Sequence, residues 1–287
     1  MNQTEVVDLI IKTINTIFSN IFSSIDNSIY ESLDTLVFIN SDILSNTYFA
    51  KLLGSNGKSG LLFLADALLL GFMVYYIARF YYSNIVEVPI EKPSQFLFKV
   101  LIFALFVNFS YFILEQILSI NNLITLAFQE IGSNITKNDV SFSQLIVVLN
   151  KTLSINTDEF NIFSFDGIIK SFVTFGLINL LLSYSLRYIL VQVMLLICPF
   201  AILSLISNST SWFFKIWIKS LFSLIVIQIF VLLVIIVIFC INGSNKVLFV
   251  GGIYALIKVN GYVRELFGGL SVDVSSNFNS MMMLFRK

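Results

Sequence analysis

The sequence predicts an all-α integral membrane protein with about five transmembrane helices. Three observations predict it. Apolar, nearly uncharged runs recur at about 20 residues, the length that crosses a bilayer as a helix. Charged residues make up 12% of the chain and apolar residues 57%, where a soluble domain carries about 25% charged residues. The mean hydropathy of +0.90 over 287 residues is more than a soluble core could keep from water.

Composition also excludes function classes. The net charge is zero, and no basic stripe marks a nucleic-acid surface, so no direct sequence-specific nucleic-acid binding is expected. Histidine is absent, which removes histidine metal sites, Ser-His-Asp triads and imidazole relays. No carboxylates have catalytic spacing, and there is no glycine-rich phosphate loop or metal-ligand cluster. No catalytic, cofactor-binding or metal-binding residue is therefore assigned; no cofactor is expected, and the chain is read as not an enzyme. Cys198 and Cys240 lie inside apolar runs and are expected to be reduced and buried. The start, "MNQTEVVDLIIKT", lacks the basic and compact apolar regions of a secretory signal. Insertion is expected to be directed by the spans.

Residues 1–59 form an amphipathic N-terminal region. Val6, Ile10, Ile14, Ile17, Ile21, Ile25 and Ile29 share one helical face with Phe18 and Phe22; Asp8, Lys12, Asn15 and Ser19 lie opposite. Spacings of three and four give a helix too polar to span. It either lies on the membrane interface or packs on a partner helix, and its acidic polar face favours the partner.

"SNGKSG" (55–60) breaks the chain. Residues 60–120 then hold two spans, 61–82 and 96–120, joined by the proline-containing loop 86–95. Tyr75, Tyr76, Tyr81 and Tyr82 form an aromatic belt. The polar, acidic stretch 121–166 reads as extramembranous, with a helix at 141–154. Residues 167–263 are the transmembrane core: some 40 mostly apolar residues at 167–207, the cleanest span at 221–241, a turn at "NGSNK" (242–246) and a marginal span at 247–263. Residues 264–287 are the tail. The glycine pairs at 251–252 and 268–269 read as close packing or turns.

Charge sets the orientation. Lysine and arginine concentrate in cytoplasmic loops. Arg79, Lys92 and Lys99 flank the first loop, which places it inside, the N-terminus outside and 121–166 outside. If residues 167–207 cross only once, Lys215 and Lys219 fall inside, as does the tail with Lys258, Arg264, Arg286 and Lys287. Two crossings would put all of these outside. One crossing leaves a surplus of chain, so 188–206 is expected to be broken near Pro199, either re-entrant with its turn at "CPF" or a long helix kinked at the proline. "SWFFKIWIK" (211–219) is expected to lie as an interfacial helix, with Arg187, Trp212, Lys215, Trp217 and Lys219 as membrane-interface anchors. Arg187 has a second reading, a paired charge lining a cavity.

The intramembrane polar candidates are Asp66, Asn108, Glu115, Gln192 and Gln228. Asp66 and Glu115 are shallow enough to reach water. The deeper amides, with Asn179, more often join helices by hydrogen bonds than bind substrate.

Arg187 and Tyr188, a hydrophobic run to Pro199 and Ala201, "TSWFFKIWIKSL", and a long span carrying Gln228 together resemble the TrbL-like polytopic subunits of conjugative type IV secretion systems. The resemblance covers roughly residues 165–241; the earlier spans match only in layout. It implies a non-enzymatic scaffold or channel component, multi-pass in the bacterial cytoplasmic membrane, assisting DNA or protein transfer. Its implied partners are other membrane subunits of the secretion complex and cytoplasmic ATPases, with the lipid bilayer around it and room for a homo-oligomer. Family members often have a larger extracytoplasmic or C-terminal region than this chain. A small-molecule transporter or permease subunit is the alternative, since broken helices also mark transporter sites. Against it, no second break like "CPF" is visible between residues 61 and 120.

Overall fold

The computed structural model describes residues 3–54, 60–87, 91–152, 161–241 and 246–267. Among them are ten helices and no strands: α1 (Gln3–Val37), α2 (Asp42–Ser45), α3 (Thr47–Leu53), α4 (Leu61–Val86), α5 (Pro93–Asn108), α6 (Ser110–Thr136), α7 (Phe142–Thr152), α8 (Phe165–Leu203), α9 (Ser211–Ile241) and α10 (Lys246–Phe267). Five of these, α4, α6, α8, α9 and α10, are long and apolar enough to cross a membrane. The chain is thus an all-α protein of the multi-pass membrane type. The breaker clusters at 55–59 and 242–245, the glycines at 268–269 and the tail with Arg286 and Lys287 lie outside the described residues.

Helices α8 and α9 form the spine and run antiparallel. Trp217 Nε1 donates to the Met194 carbonyl at 2.8 Å, and one level away Arg187 Nε donates to the Leu224 carbonyl at 2.8 Å. Helix α10 folds back along α9: Gly252 lies against Ile238, and Phe267 meets Phe222 and Phe230 edge-on. Helix α6 runs beside α9 in the same direction, with Thr125 level with Gln228 and Gly132 level with Ile236. Helix α1 runs parallel to the first half of α8. Its Asn15 accepts from the Ile162 N–H at 3.0 Å, and its last residue, Val37, reaches Arg187.

Local chemistry sets the ends. The Ser164 hydroxyl accepts from the Gly167 N–H at 3.1 Å and caps α8. Pro93 opens α5, where a missing N–H costs nothing. Asp34 of α1 caps α7 from outside: its carboxylate accepts from the Phe142 N–H at 2.8 Å, the Ser143 N–H at 3.3 Å and the Ser143 hydroxyl at 2.6 Å. A carboxylate there also complements the positive end of the helix dipole. At the far end of the bundle, Tyr76 stacks on Phe96 at 3.9 Å. Lys99 pairs with Glu91 at 2.7 Å and donates to Asn208 at 3.0 Å, tying the α4–α5 loop to the α8–α9 turn.

Helix α4 buries only Ala65 and Ser83, while Leu64, Leu68, Leu70, Val74 and Ile77 stay exposed. Exposed apolar surface costs about 25 cal/mol per Å2 in water, so this face belongs in lipid.

Several expectations need correction. The span expected over 96–120 is divided at Phe109, and the helix long enough to cross is α6, which continues to Thr136. The division has a local cause. Asn108 Nδ2 donates to the Ala104 carbonyl and the Ser110 hydroxyl to the Val107 carbonyl, both at 2.7 Å. Such side-chain bonds compete with the helical ladder and bend it. Of the two alternatives near Pro199, the structure has the long helix: α8 runs through the proline and ends four residues later, and a re-entrant 188–206 is not supported. Its 39 residues span about 58 Å at 1.5 Å per residue, so the surplus chain is taken up by length. The ribbon 211–219 is the opening of α9, not a separate interfacial helix. Cys198 is buried, but Cys240 is exposed on α9.

Candidate functional site

A buried polar node inside the bundle is built around Arg187. It sits near the middle of α8 with no exposed surface. Placing a guanidinium there requires partners for its donors, because an isolated buried charge is prohibitively costly. The fold supplies carbonyls. Nε donates to the Leu224 carbonyl at 2.8 Å, Nη1 to the Val37 carbonyl at 2.8 Å, and Nη2 makes longer contacts of 3.5 Å to the Ile225 carbonyl and to Gln228 Oε1. Leu224 and Ile225 lie in mid-helix, and each carbonyl has a second lone pair to offer. Val37 ends α1, where carbonyls lack helical partners and the dipole is negative. Among the described residues no carboxylate pairs with Arg187.

Gln228 extends the node. Its Oε1 accepts from the Ile39 N–H at 3.1 Å, and its Nε2 donates to Thr125 Oγ1 at 2.7 Å. The Thr125 hydroxyl donates in turn to the Asn121 carbonyl at 2.9 Å. One arginine and one glutamine thus join α1, α6, α8 and α9. One turn below, the buried Tyr184 hydroxyl reaches the Leu256 carbonyl of α10 at 3.4 Å.

Of the expected interface anchors, Trp212, Lys215 and Lys219 are exposed on α9, with Trp212 at 59%. Arg187 and Trp217 are buried, at 0% and 6%. Both are corrected to packing positions: carbonyls from neighbouring elements satisfy Arg187, and Met194 satisfies the Trp217 indole. Pro199 is buried within α8. Of the polar candidates, only Gln228 enters the node. Asp66 and Asn108 are exposed; Glu115 and Gln192 are half-buried. The node also uses Thr125, Val37 and Ile39, which sequence reasoning missed. The signal for Thr125 was its four-residue spacing from Asn121 on the inward face of α6.

The arrangement is a donor-rich clamp on backbone carbonyls. It holds no nucleophile–base pair, and among the described residues no group of three metal-ligating side chains converges. Compared with protein-family models, with curated proteins and with solved structures, the chain matches none.

Proposed function

We propose that the chain is a non-enzymatic membrane subunit, a scaffold or channel component, of a conjugative type IV secretion machine in the bacterial cytoplasmic membrane. The observation that carries this is the state of α1. Its C-terminal turn is clamped by Arg187 and Gln228 and itself caps α7 through Asp34. Toward its start, Leu9, Ile10, Ile17, Phe18 and Ile21 remain exposed along the helix. A helix held this firmly with an open apolar stripe is an assembly surface. The stripe suits a neighbouring membrane subunit or a second copy. In this reading the N-terminus lies outside and the C-terminus inside. Lys92, Lys99, Lys215 and Lys219 then face the cytoplasm, where ATPases would dock.

A transporter or permease subunit is the second reading, and one observation favours it: the interruption at Phe109 is a broken helix. Transporter sites of that kind pair two broken helices, and α8, the natural partner, is continuous.

The test is a clean deletion in a donor strain carrying the conjugative element. The expected result is loss of transfer, restored by the wild-type chain. Unchanged transfer, or solute flux through liposomes holding the purified protein alone, would overturn the proposal.

A further inference from the structure

Where the α4–α5 loop meets the α8–α9 turn there is a cavity of about 320 Å3. Phe72, Tyr75, Tyr76 and Arg79 of α4 line one side, at spacings of three and four that put them on one face of the helix. Ser207, Asn208 and Ser209 of the turn also line it, as does Glu91 of the loop. Toward the start of α4 the same face continues through Leu68 and Leu64, both exposed. A stripe of apolar side chains thus leads along one helix to an arginine.

The free groups of this cavity are donors. Arg79 is exposed and has no ion pair among the described residues. Asn208 Oδ1 accepts from Lys99 at 3.0 Å, which leaves the two N–H donors of its amide for another acceptor. Ser207 and Ser209 share one hydrogen bond at 2.8 Å, so one of their two hydroxyl protons remains to be donated. The one acid in the lining, Glu91, is held by Lys99 at 2.7 Å. Glu87 and Lys92, exposed at the two ends of the loop, offset each other, and Lys215 and Lys219 beyond the turn add positive charge only. Arg79 is therefore a charge in excess.

We propose that this cavity binds the phosphate of one anionic phospholipid. The phosphate sits against Arg79, whose planar fork matches phosphate oxygens. The Asn208 amide and a serine hydroxyl donate to the other oxygens, and an acyl chain runs along Phe72, Leu68 and Leu64. Tyr75 and Tyr76 stand where head group and hydrocarbon meet, the usual place of such rings. Basic pockets between transmembrane helices recognise anionic head groups in this way. A zwitterionic lipid brings a cation of its own, for which the cavity has no free acid. A soluble phosphate would engage the donors and leave the apolar stripe unused. The proposal rests on the chain spanning a membrane and is independent of the secretion reading; the transfer assay and the lipid assay fail separately.

The test uses the purified full chain in detergent, with ligand retention read by native mass spectrometry. The probes are phosphatidylglycerol and phosphatidylcholine of identical acyl chains, and glycerol phosphate as a head group without chains. About tenfold preference for phosphatidylglycerol over phosphatidylcholine is expected, equivalent to roughly 1.4 kcal/mol. Arg79→Gln should bring the two lipids close to parity with the lipid-free unfolding temperature unchanged, since Arg79 is exposed and unpaired. Lys219→Gln removes one positive charge outside the cavity and should leave the preference intact. Equal retention of both lipids by the wild type, or undiminished preference in Arg79→Gln, overturns the proposal. An equal loss of preference in Lys219→Gln also overturns it, because the selection would then belong to the surface charge and not to the cavity. Glycerol phosphate retained as firmly as phosphatidylglycerol would make this a site for soluble phosphates, and retention of no probe would leave it without a phosphate ligand; either result overturns the proposal.

Discussion

The Arg187 guanidinium donates to the Val37 carbonyl at 2.8 Å across 150 residues of sequence. The bond closes the last turn of α1 with a side chain from the centre of α8. It explains how a helix too polar to span is anchored in an apolar bundle: its negative end meets a buried cation. The geometry is specific to arginine, because the planar fork reaches Val37 and Leu224 at once.

Arg187→Lys should therefore behave as a severe substitution. An ammonium on a flexible stem cannot serve carbonyls on two elements in that geometry. Hydrogen bonds to charged groups contribute about 1.5–3 kcal/mol each, so a loss of about 2 kcal/mol or more is expected. Thermal unfolding in detergent should show it, with faster proteolysis within α1. An unfolding midpoint equal to wild type would show that the clamp carries no net stability.

Gln228 and Thr125 should be energetically coupled. Gln228→Leu leaves the Ile39 N–H with only the Val37 carbonyl at 3.2 Å, and Thr125→Val removes the hydroxyl that receives Nε2. Each single change should cost about 1–3 kcal/mol. The double variant should cost less than their sum, because the shared bond is lost only once. Strict additivity in a double-mutant cycle would dissolve the node into separate contacts.

Asp34→Asn tests the second tether of α1. The change keeps the shape but removes the charge at the start of α7. Losing cap interactions costs about 0.5–2 kcal/mol. The effect should be local, with faster amide exchange at Phe142 and Ser143 and little change at Arg187. Unaltered exchange there would rule the tether out.

How legible this arrangement was follows from what each residue's neighbours reveal. Gln228 was readable: an amide in the most apolar span has few outlets besides another helix. Arg187 reads mainly as an interfacial anchor because counting about 20 residues from the start of its run places a charge where a membrane would end. The count cannot know that α8 has 39 residues, nor that α1 terminates against its middle. Asn121 and Thr125 fall in a stretch that reads as extramembranous for its polarity; in the structure both lie on the inward face of α6. The division at Phe109 carried no glycine or proline, only Asn108 and Ser110, whose side chains bond back to the helix. Pro199 leaves a re-entrant turn and a single long helix both open in the sequence; it stands within two turns of the end of α8, where losing one N–H does not stop the helix.

The continuity of α8 can be tested from both ends. Cys198 and Cys240 would be replaced by alanine, and single cysteines placed at the exposed Asn161 and Asn208. A membrane-impermeant thiol reagent should label Asn161→Cys in intact cells and Asn208→Cys only after lysis. Labelling of both from one side would mean that α8 does not cross as one helix.

The adjacent glycines of α10 should respond in opposite ways. A Cβ at Gly252 would overlap the Ile238 side chain of α9, whereas Gly251 faces open space. Close approach through small residues is how membrane helices gain packing energy without a hydrophobic driving force. Gly252→Ala must push α10 away from α9 or move Ile238 off its rotamer, and overpacking costs about 1–3 kcal/mol. Gly251→Ala meets nothing and gains the better helix propensity of alanine, about 1 kcal/mol. Unfolding midpoints in detergent should therefore fall for Gly252→Ala and hold or rise for Gly251→Ala. The same sign for both would mean that the α9–α10 contact is not set by Gly252.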